Sequence, residues 1–277
     1  IGFESTAHYA LNLELFLENA HHSFMEVNPV LIKEYKKSTT LRRTKTDSVD
    51  CESIARWLIT VEYKPHSKGF YHAYSLKSLT RLRDRLIRQR SFYLVKITNV
   101  LDHTFPEFKP FFNERLSKTA LYLLENYGSA EKMARMNSAS YDKLRCISRG
   151  KFSIQQFLRL KELAADTVGV NNSIFDLELN TLLTLYKSLS DEINTLETEI
   201  IKLIEEVHPH YMSIPGIGPI SAAVIYAEYG DISNFSNPGQ MLAFAGIEPG
   251  INDSGTESHG GRMVKHGSSR LLTLNTF

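Results

Sequence analysis

At 277 residues, with 42% hydrophobic and 23% charged side chains, the chain has ordinary globular composition and the length for one large domain or two smaller ones. A formal net charge of +1 excludes a uniformly basic or acidic protein. The two cysteines, Cys51 and Cys146, lie far apart with no CxxC pairing, so they suggest neither a disulfide framework nor a zinc site and fit a reducing cytoplasm. No apolar run approaches the roughly 18 residues of a membrane span, and no signal peptide opens the chain.

Residues 1–66 read as alternating strand and helix, the pattern of an α/β layer. Ile1-Gly-Phe-Glu resembles the end of a strand. Leu11, Leu13, Leu15, Phe16 and Leu17 predict a short, largely buried helix, and Ser23-Phe-Met-Glu-Val27 a second strand. Asn28-Pro29 turns the chain into another helix, and Ser48 to Leu58 predicts a further one with Ile54, Ala55 and Leu58 on one side. Residues 67–208 read as helical. Leu79, Leu82, Leu86 and Tyr93 recur at heptad-like spacing. Leu182, Tyr186, Leu189, Ile193, Leu196, Ile200, Leu203 and Val207 follow alternating steps of four and three without a break. That stripe predicts a seam against a partner helix, in a coiled coil or an amphipathic bundle. Between the two stripes, residues 105–175 predict several short helices and no identifiable chemistry. Residues 209–277 open with the Gly/Pro turn Ser213-Ile-Pro-Gly-Ile-Gly-Pro219 and an apolar helix, Ile220 to Tyr229. They continue through Phe235 to Pro249 into a Gly/Ser/His-rich loop from Gly250 to Gly267. The first residue is not Met, and the last segment stops inside an apolar-periodic run, so both ends read as cut.

Charge is unevenly placed. From Lys33 to Lys45 six basic residues (Lys33, Lys36, Lys37, Arg42, Arg43, Lys45) stand against Glu34 alone, and from Lys77 to Lys96 seven stand against Asp84. Asp191 to Glu206 is mostly acidic. Lys77, Arg81, Arg85 and Arg88 recur at helical spacing, close to one face. Such stripes suit backbone contacts to nucleic acid as well as they suit a solvated helix face.

Three constellations could carry chemistry. Glu4 sits at a strand end, and Asp47 with Asp50, three apart at a helix start, places two carboxylates on one face. Together they could hold divalent ions for phosphodiester chemistry, although Thr46 or Asp47 also suits a helix N-cap. In Pro215-Gly-Ile-Gly-Pro219, Gly216 and Gly218 either expose amides to a DNA phosphate or make a tight turn between helices. In the loop around Ser254-Gly255 a hydroxyl nucleophile would have glycines for close approach, Arg262 and Lys265 for charge, and His259 and His266 as proton carriers. A Ser-Gly pair in a polar loop is also commonly just a loop.

In this order the pieces resemble the DEDD-type transposases of the insertion sequence 110 family. Gly2-Phe-Glu4-Ser-Thr-Ala-His-Tyr9 resembles the segment that bears the family's glutamate. Lys45-Thr-Asp47-Ser-Val-Asp50-Cys-Glu-Ser-Ile-Ala55 resembles its KTDxxDA-type helix, with Cys51 where alanine is usual. The stretch from Ile214-Pro-Gly-Ile-Gly-Pro219 through Phe244-Ala-Gly-Ile-Glu-Pro249 to Ser254-Gly255, Gly261-Arg262, Lys265 and Gly267 resembles the C-terminal transposase domain. Leu94 to Phe108 is similar to the family's connecting helix. The resemblance implies a mainly α protein with a partial α/β layer. Residues 1–66 would be an RNase H-like (RuvC-like) domain lacking its first strand, 67–208 a helical, coiled-coil linker used in dimerisation, and 209–277 a truncated, small helical transposase domain. It implies a magnesium-type divalent metal at Glu4, Asp47 and Asp50, and Ser254 as the nucleophile that joins DNA. Its partners would be DNA, an element-encoded guide RNA and a second copy of the chain. Lys45, Lys77, Arg81, Arg85, Arg88, Gly216, Gly218, Arg262 and Lys265 are the expected nucleic-acid contacts. Two departures stand out. The family's first aspartate lies upstream of Glu4, so three of four acids are present, and Leu272 stands near a position where the family often has arginine. A metal-dependent junction-resolving nuclease without serine chemistry, or an inactive nucleic-acid-binding fragment, is the alternative.

Overall fold

The computed structural model describes residues 1–4, 8–39, 46–63, 70–113, 116–230, 232, 235–254, 257–263 and 267–274. They are mainly helical, and they divide into two compact units, Ile1–Tyr71 and His72–Phe277.

The first unit begins with β1 (Gly2–Glu4), α1 (His8–Asn19) and β2 (Met25–Val27); β1 and β2 pair in parallel, Phe3 opposite Glu26. Parallel neighbours need a crossover, and α1 provides it. α2 (Pro29–Thr39) starts where Asn28 accepts the Val30 amide at 2.9 Å, and α3 (Asp47–Thr60) follows. The expected alternation is therefore present. The expected burial of α1 is not. At 3.6 residues per turn the inward face is Ala10, Glu14 and Leu17, which leaves Leu13 42% and Phe16 64% exposed. α3 lies directly on β1, because a Cβ at Gly2 would collide with the δ-carbons of Leu58.

The second unit is framed by two long helices, α4 (Phe70–Thr104) and α10 (Ser173–Val207), each about 52 Å long at 1.5 Å per residue. They run antiparallel. Leu76 packs with Ile200 and Ile204 near one end, Arg83 meets Glu197 at 2.6 Å, and His103 stacks on Phe175 at 5.8 Å near the other. Five short helices intervene: α5 (Phe108–Phe111), α6 (Lys118–Tyr127), α7 (Ala130–Ala134), α8 (Ser138–Ile147) and α9 (Ile154–Ala165). Their core, with Phe105, Phe108, Leu124, Met133 and Leu160, continues onto Leu179 and Leu183 of α10. The heptad stripe of α10 is thus used inside this chain at both ends. Leu182 and Tyr186 face that core, while Ile200, Leu203 and Val207 join Leu76, Ala222, Ala223 and Ala227.

After a 3-10 turn (His210–Ser213) come α11 (Pro219–Tyr229) and α12 (Pro238–Ala245). The segment expected as a Gly/Ser/His-rich loop is an antiparallel hairpin instead, β3 (Pro249–Ser254) with β4 (Glu257–Met263), and α13 (Ser269–Leu274) follows. Glycines and polar residues blur the two-residue alternation by which a strand is recognised, so the hairpin shows only once its ladder forms.

Candidate functional site

In the first unit Thr46 takes the capping role at α3, accepting the Val49 amide at 3.3 Å. Asp47 and Asp50 are left in the first helical turn, where the helix dipole favours negative charge. Asp47 is exposed. Asp50 is half-buried and held by the ammonium of Lys36 from the last turn of α2. Glu4 ends β1, half-buried. Leu58, the α3 residue against Gly2, lies about 12 Å along the helix from Asp50 and about 16 Å from Asp47. Three carboxylates are the oxygen donors a hard divalent cation requires, and Lys36 already supplies a cation to Asp50. In donor chemistry the trio fits a metal. It is not gathered, for among the described residues no three His, Cys, Asp or Glu side chains come together as a ligand set.

A different acid is the more perturbed one. Glu14 is 2% exposed, and its Oε2 has no hydrogen-bond partner among the described residues. Burial, then the charge and hydrogen bond of Glu26 on β2, then Glu18, raise its pKa to about 7. The signal was in the sequence, since Glu14 falls between Ala10 and Leu17 on the helical period. Reading the leucines around it as the buried set concealed it.

In the second unit Ser254 is the last residue of β3, paired with Glu257 across the turn end of the hairpin. Asn252 stands opposite His259, and Arg262 lies near the far end of β4. Lys45, Gly255, Lys265 and His266 lie outside the described residues. The hairpin is anchored at its base. Any Cβ at Gly267 would overlap the backbone of Phe244, Ala245 and Gly246 at the end of α12, and the Ser268 amide donates to the Phe244 carbonyl at 3.2 Å. In the Gly/Pro turn Gly216 has φ of +95°, a conformation glycine tolerates, and Gly218 precedes Pro219 as the N-cap of α11. Both are exposed, and neither amide donates to a carbonyl among the described residues.

The basic stripe of α4 is largely engaged within the chain. Arg81 grips Glu228 through both carboxylate oxygens, at 3.0 and 3.1 Å, and Arg88 meets Asp84 at 3.1 Å. Glu228 is 5% exposed, and the Ser268 hydroxyl also donates to it at 2.9 Å. Burial alone would raise its pKa. The Arg81 guanidinium, the Ser268 hydroxyl and the positive charge of Lys77 outweigh that and hold it below the ordinary carboxylate value. Arg85 is exposed to solvent. Sequence periodicity placed these cations on one face but could not foresee Glu228, 147 positions from Arg81. Among the described residues no helix is long and apolar enough to cross a membrane.

Comparison with known proteins agrees at both ends of the chain. Residues 1–106 match a family model for the DEDD transposase of IS110 elements, and residues 209–274 match the model described as transposase, IS116/IS110/IS902 family. The chain is 25% identical over 250 residues to the transposase for insertion sequence element IS1111A of Coxiella burnetii, an overlap of 90% of this chain and 56% of the relative. It is 28% identical over 185 residues to the insertion element IS110 uncharacterized 43.6 kDa protein of Streptomyces coelicolor, covering 64% and 45%. A probable family 20 transposase of Pseudomonas aeruginosa is 32% identical over 99 residues, covering 32% and 29%. These matches place the protein among the transposases of bacterial insertion sequences. Within that class, the chain belongs to the IS110 family. It spans about half the length, or less, of the curated relatives it matches.

Proposed function

We propose that this chain carries the catalytic parts of a DNA transposase that cleaves and rejoins strands through Ser254. The observation that carries the reading is positional. The C-terminal family model spans the hairpin, and Ser254 occupies the strand end beside its turn, where a nucleophile on an anchored arm can be presented to a strand. The Ser254 hydroxyl oxygen bonds to a DNA phosphorus, the sugar oxygen of the broken linkage leaves, and the hydroxyl proton passes to that oxygen. His259 on the adjacent strand is the candidate carrier. Rejoining reverses the exchange. Glu4, Asp47 and Asp50 would hold a divalent ion such as Mg²⁺, whose chemistry is to neutralise charge on the phosphate in flight. Lys45, Lys77, Arg85, Arg88, Arg262 and Lys265, with the exposed amides of Gly216 and Gly218, serve as backbone contacts to DNA. Arg81 contributes through its grip on Glu228, its side chain 40% exposed. A guide RNA and a second copy of the chain are the further partners.

The deciding measurement is trapping of a covalent protein–DNA species. Ser254→Ala should abolish the adduct while leaving DNA binding and melting temperature unchanged, and Asp47→Asn should reduce it through metal loss. An adduct that survives Ser254→Ala would replace serine chemistry with the plain nuclease reading.

A further inference from the structure

The helices between α4 and α10 lie beyond both family matches and carry a charged surface of their own. From Lys143 to Lys161 the sequence holds six basic residues (Lys143, Arg145, Arg149, Lys151, Arg159, Lys161) and no acid. Core contacts fix how this stretch folds. Leu144 of α8 is buried, as are Phe152 and, on α9, Phe157, Leu160 and Ala164. The turn between the helices is tightly bonded. The Ser148 amide donates to the Leu144 carbonyl at 2.9 Å and the Gly150 amide to the Arg145 carbonyl at 2.8 Å. Arg149 and Gly150 both take left-handed φ, +54° and +79°. Ser153 and Gln156 then cap α9 reciprocally.

Arg145, Arg149 and Lys151 are thereby held around one turn at the end of α8, and Lys143 lies one helical turn or less away. All four are exposed, and among the described residues none has an ion-pair partner. Lys161 and Arg159 differ, the first donating to the Met136 carbonyl at 2.5 Å and the second to Glu162 at 3.3 Å. α4 differs too, since Arg81, Arg83 and Arg88 each hold an acid. A concentrated positive run without ion-pair partners among the described residues repels itself; a polyanion relieves that repulsion. The rings in this stretch, Phe152 and Phe157, are buried, so the surface offers no platform for stacking unpaired bases. Charge without stacking suits the backbone of a duplex.

We propose that the α8–α9 turn, through Arg145, Arg149 and Lys151, docks on the phosphate backbone of double-stranded DNA without reading its sequence. The proposal rests on the DNA reading above for its choice of duplex, but it is independent of serine or metal chemistry. The test measures anisotropy of a labelled random-sequence DNA duplex with the full chain, in EDTA, across a potassium chloride series. Three lost phosphate contacts reduce the salt slope by about 2.7, so between about 50 and 200 mM salt the parent should weaken about 40-fold more than Arg145→Gln/Arg149→Gln/Lys151→Gln. Arg145→Lys/Arg149→Lys should restore the parent slope, and all variants should melt with the parent. An unchanged slope overturns the proposal. So does a loss confined to an RNA duplex, or a fall in mass by light scattering that shows the turn to bind a second copy of the chain. An adduct that survives Ser254→Ala, while the triple variant still loses its salt slope, would sink the serine mechanism and leave this surface standing.

Discussion

Replacing Arg81 with alanine separates a cation that holds the fold from one that faces nucleic acid. Its guanidinium donates to both oxygens of Glu228, whose side chain is 3% exposed while that of Arg81 is 40% exposed. Removing the partner of a buried carboxylate costs about 3–5 kcal/mol when the pair is fully enclosed. Here Ser268 still donates to Glu228 and water reaches Arg81, so the loss should be about 2–3 kcal/mol. For a unit of this size each kcal/mol shifts the melting temperature by about 2–4 °C, which gives a fall of roughly 4–12 °C. Joint replacement, Arg81→Met with Glu228→Leu, should recover most of it, because the cost lies in the stranded charge. The pH dependence has a definite sign. The Glu228 pKa is lowered in the folded protein, so the contribution of the pair is present above the ordinary value of 4.5 and is lost as pH falls through the lower folded one. The difference between parent and Arg81→Ala should therefore shrink in acid. Thermal melting followed by circular dichroism at pH 7 and below pH 4 makes the measurement. An Arg81→Ala protein that melts with the parent at pH 7, yet loses about one unit of salt slope on DNA, would refute the reasoning and assign Arg81 to phosphate.

Glu14→Gln bears on the first unit. The folded pKa of Glu14 is raised to about 7, so the protonated form favours folding, fully so below about pH 4.5, and this is lost as pH rises through 7. The glutamine variant should flatten the pH dependence of unfolding between those values and be the more stable protein at pH 8, and equal slopes would show that Glu14 is solvated. Oligomer formation is better tested away from Ile193 and Ile200, which are 2% and 0% exposed within this chain. Phe92 and Val95 on α4 are 58% and 59% exposed, and Phe92→Ser with Val95→Ser should lower the mass in light scattering without changing the melt. A constant mass would remove this face from any interface.

Local chemistry made several elements legible. Asn28-Pro29 starts α2, Thr46 precedes α3, and the glycines of the 215–219 turn include one that requires positive φ. Each depends on residues within a few positions, which sequence displays directly. The order of the acidic, Gly/Pro and Ser-Gly motifs was similarly visible, and the two family matches fall on the stretches that hold them. Other features depend on distance. The α10 stripe announced that it would be buried, but hydrophobic burial has no direction in sequence, and only packing showed Leu76 and the alanines of α11 against it. Glu228 received Arg81, Arg83 found Glu197, and the basic run at 143–151 received no acid among the described residues, because charge pairing is decided by which helices meet. Helix starts, turns and motif order were thus determined by the sequence alone, through forces acting within a few residues. Which charges are neutralised, which apolar faces are covered and where Ser254 stands on its hairpin were decided by tertiary structure, since those outcomes require contacts between residues that the chain keeps far apart.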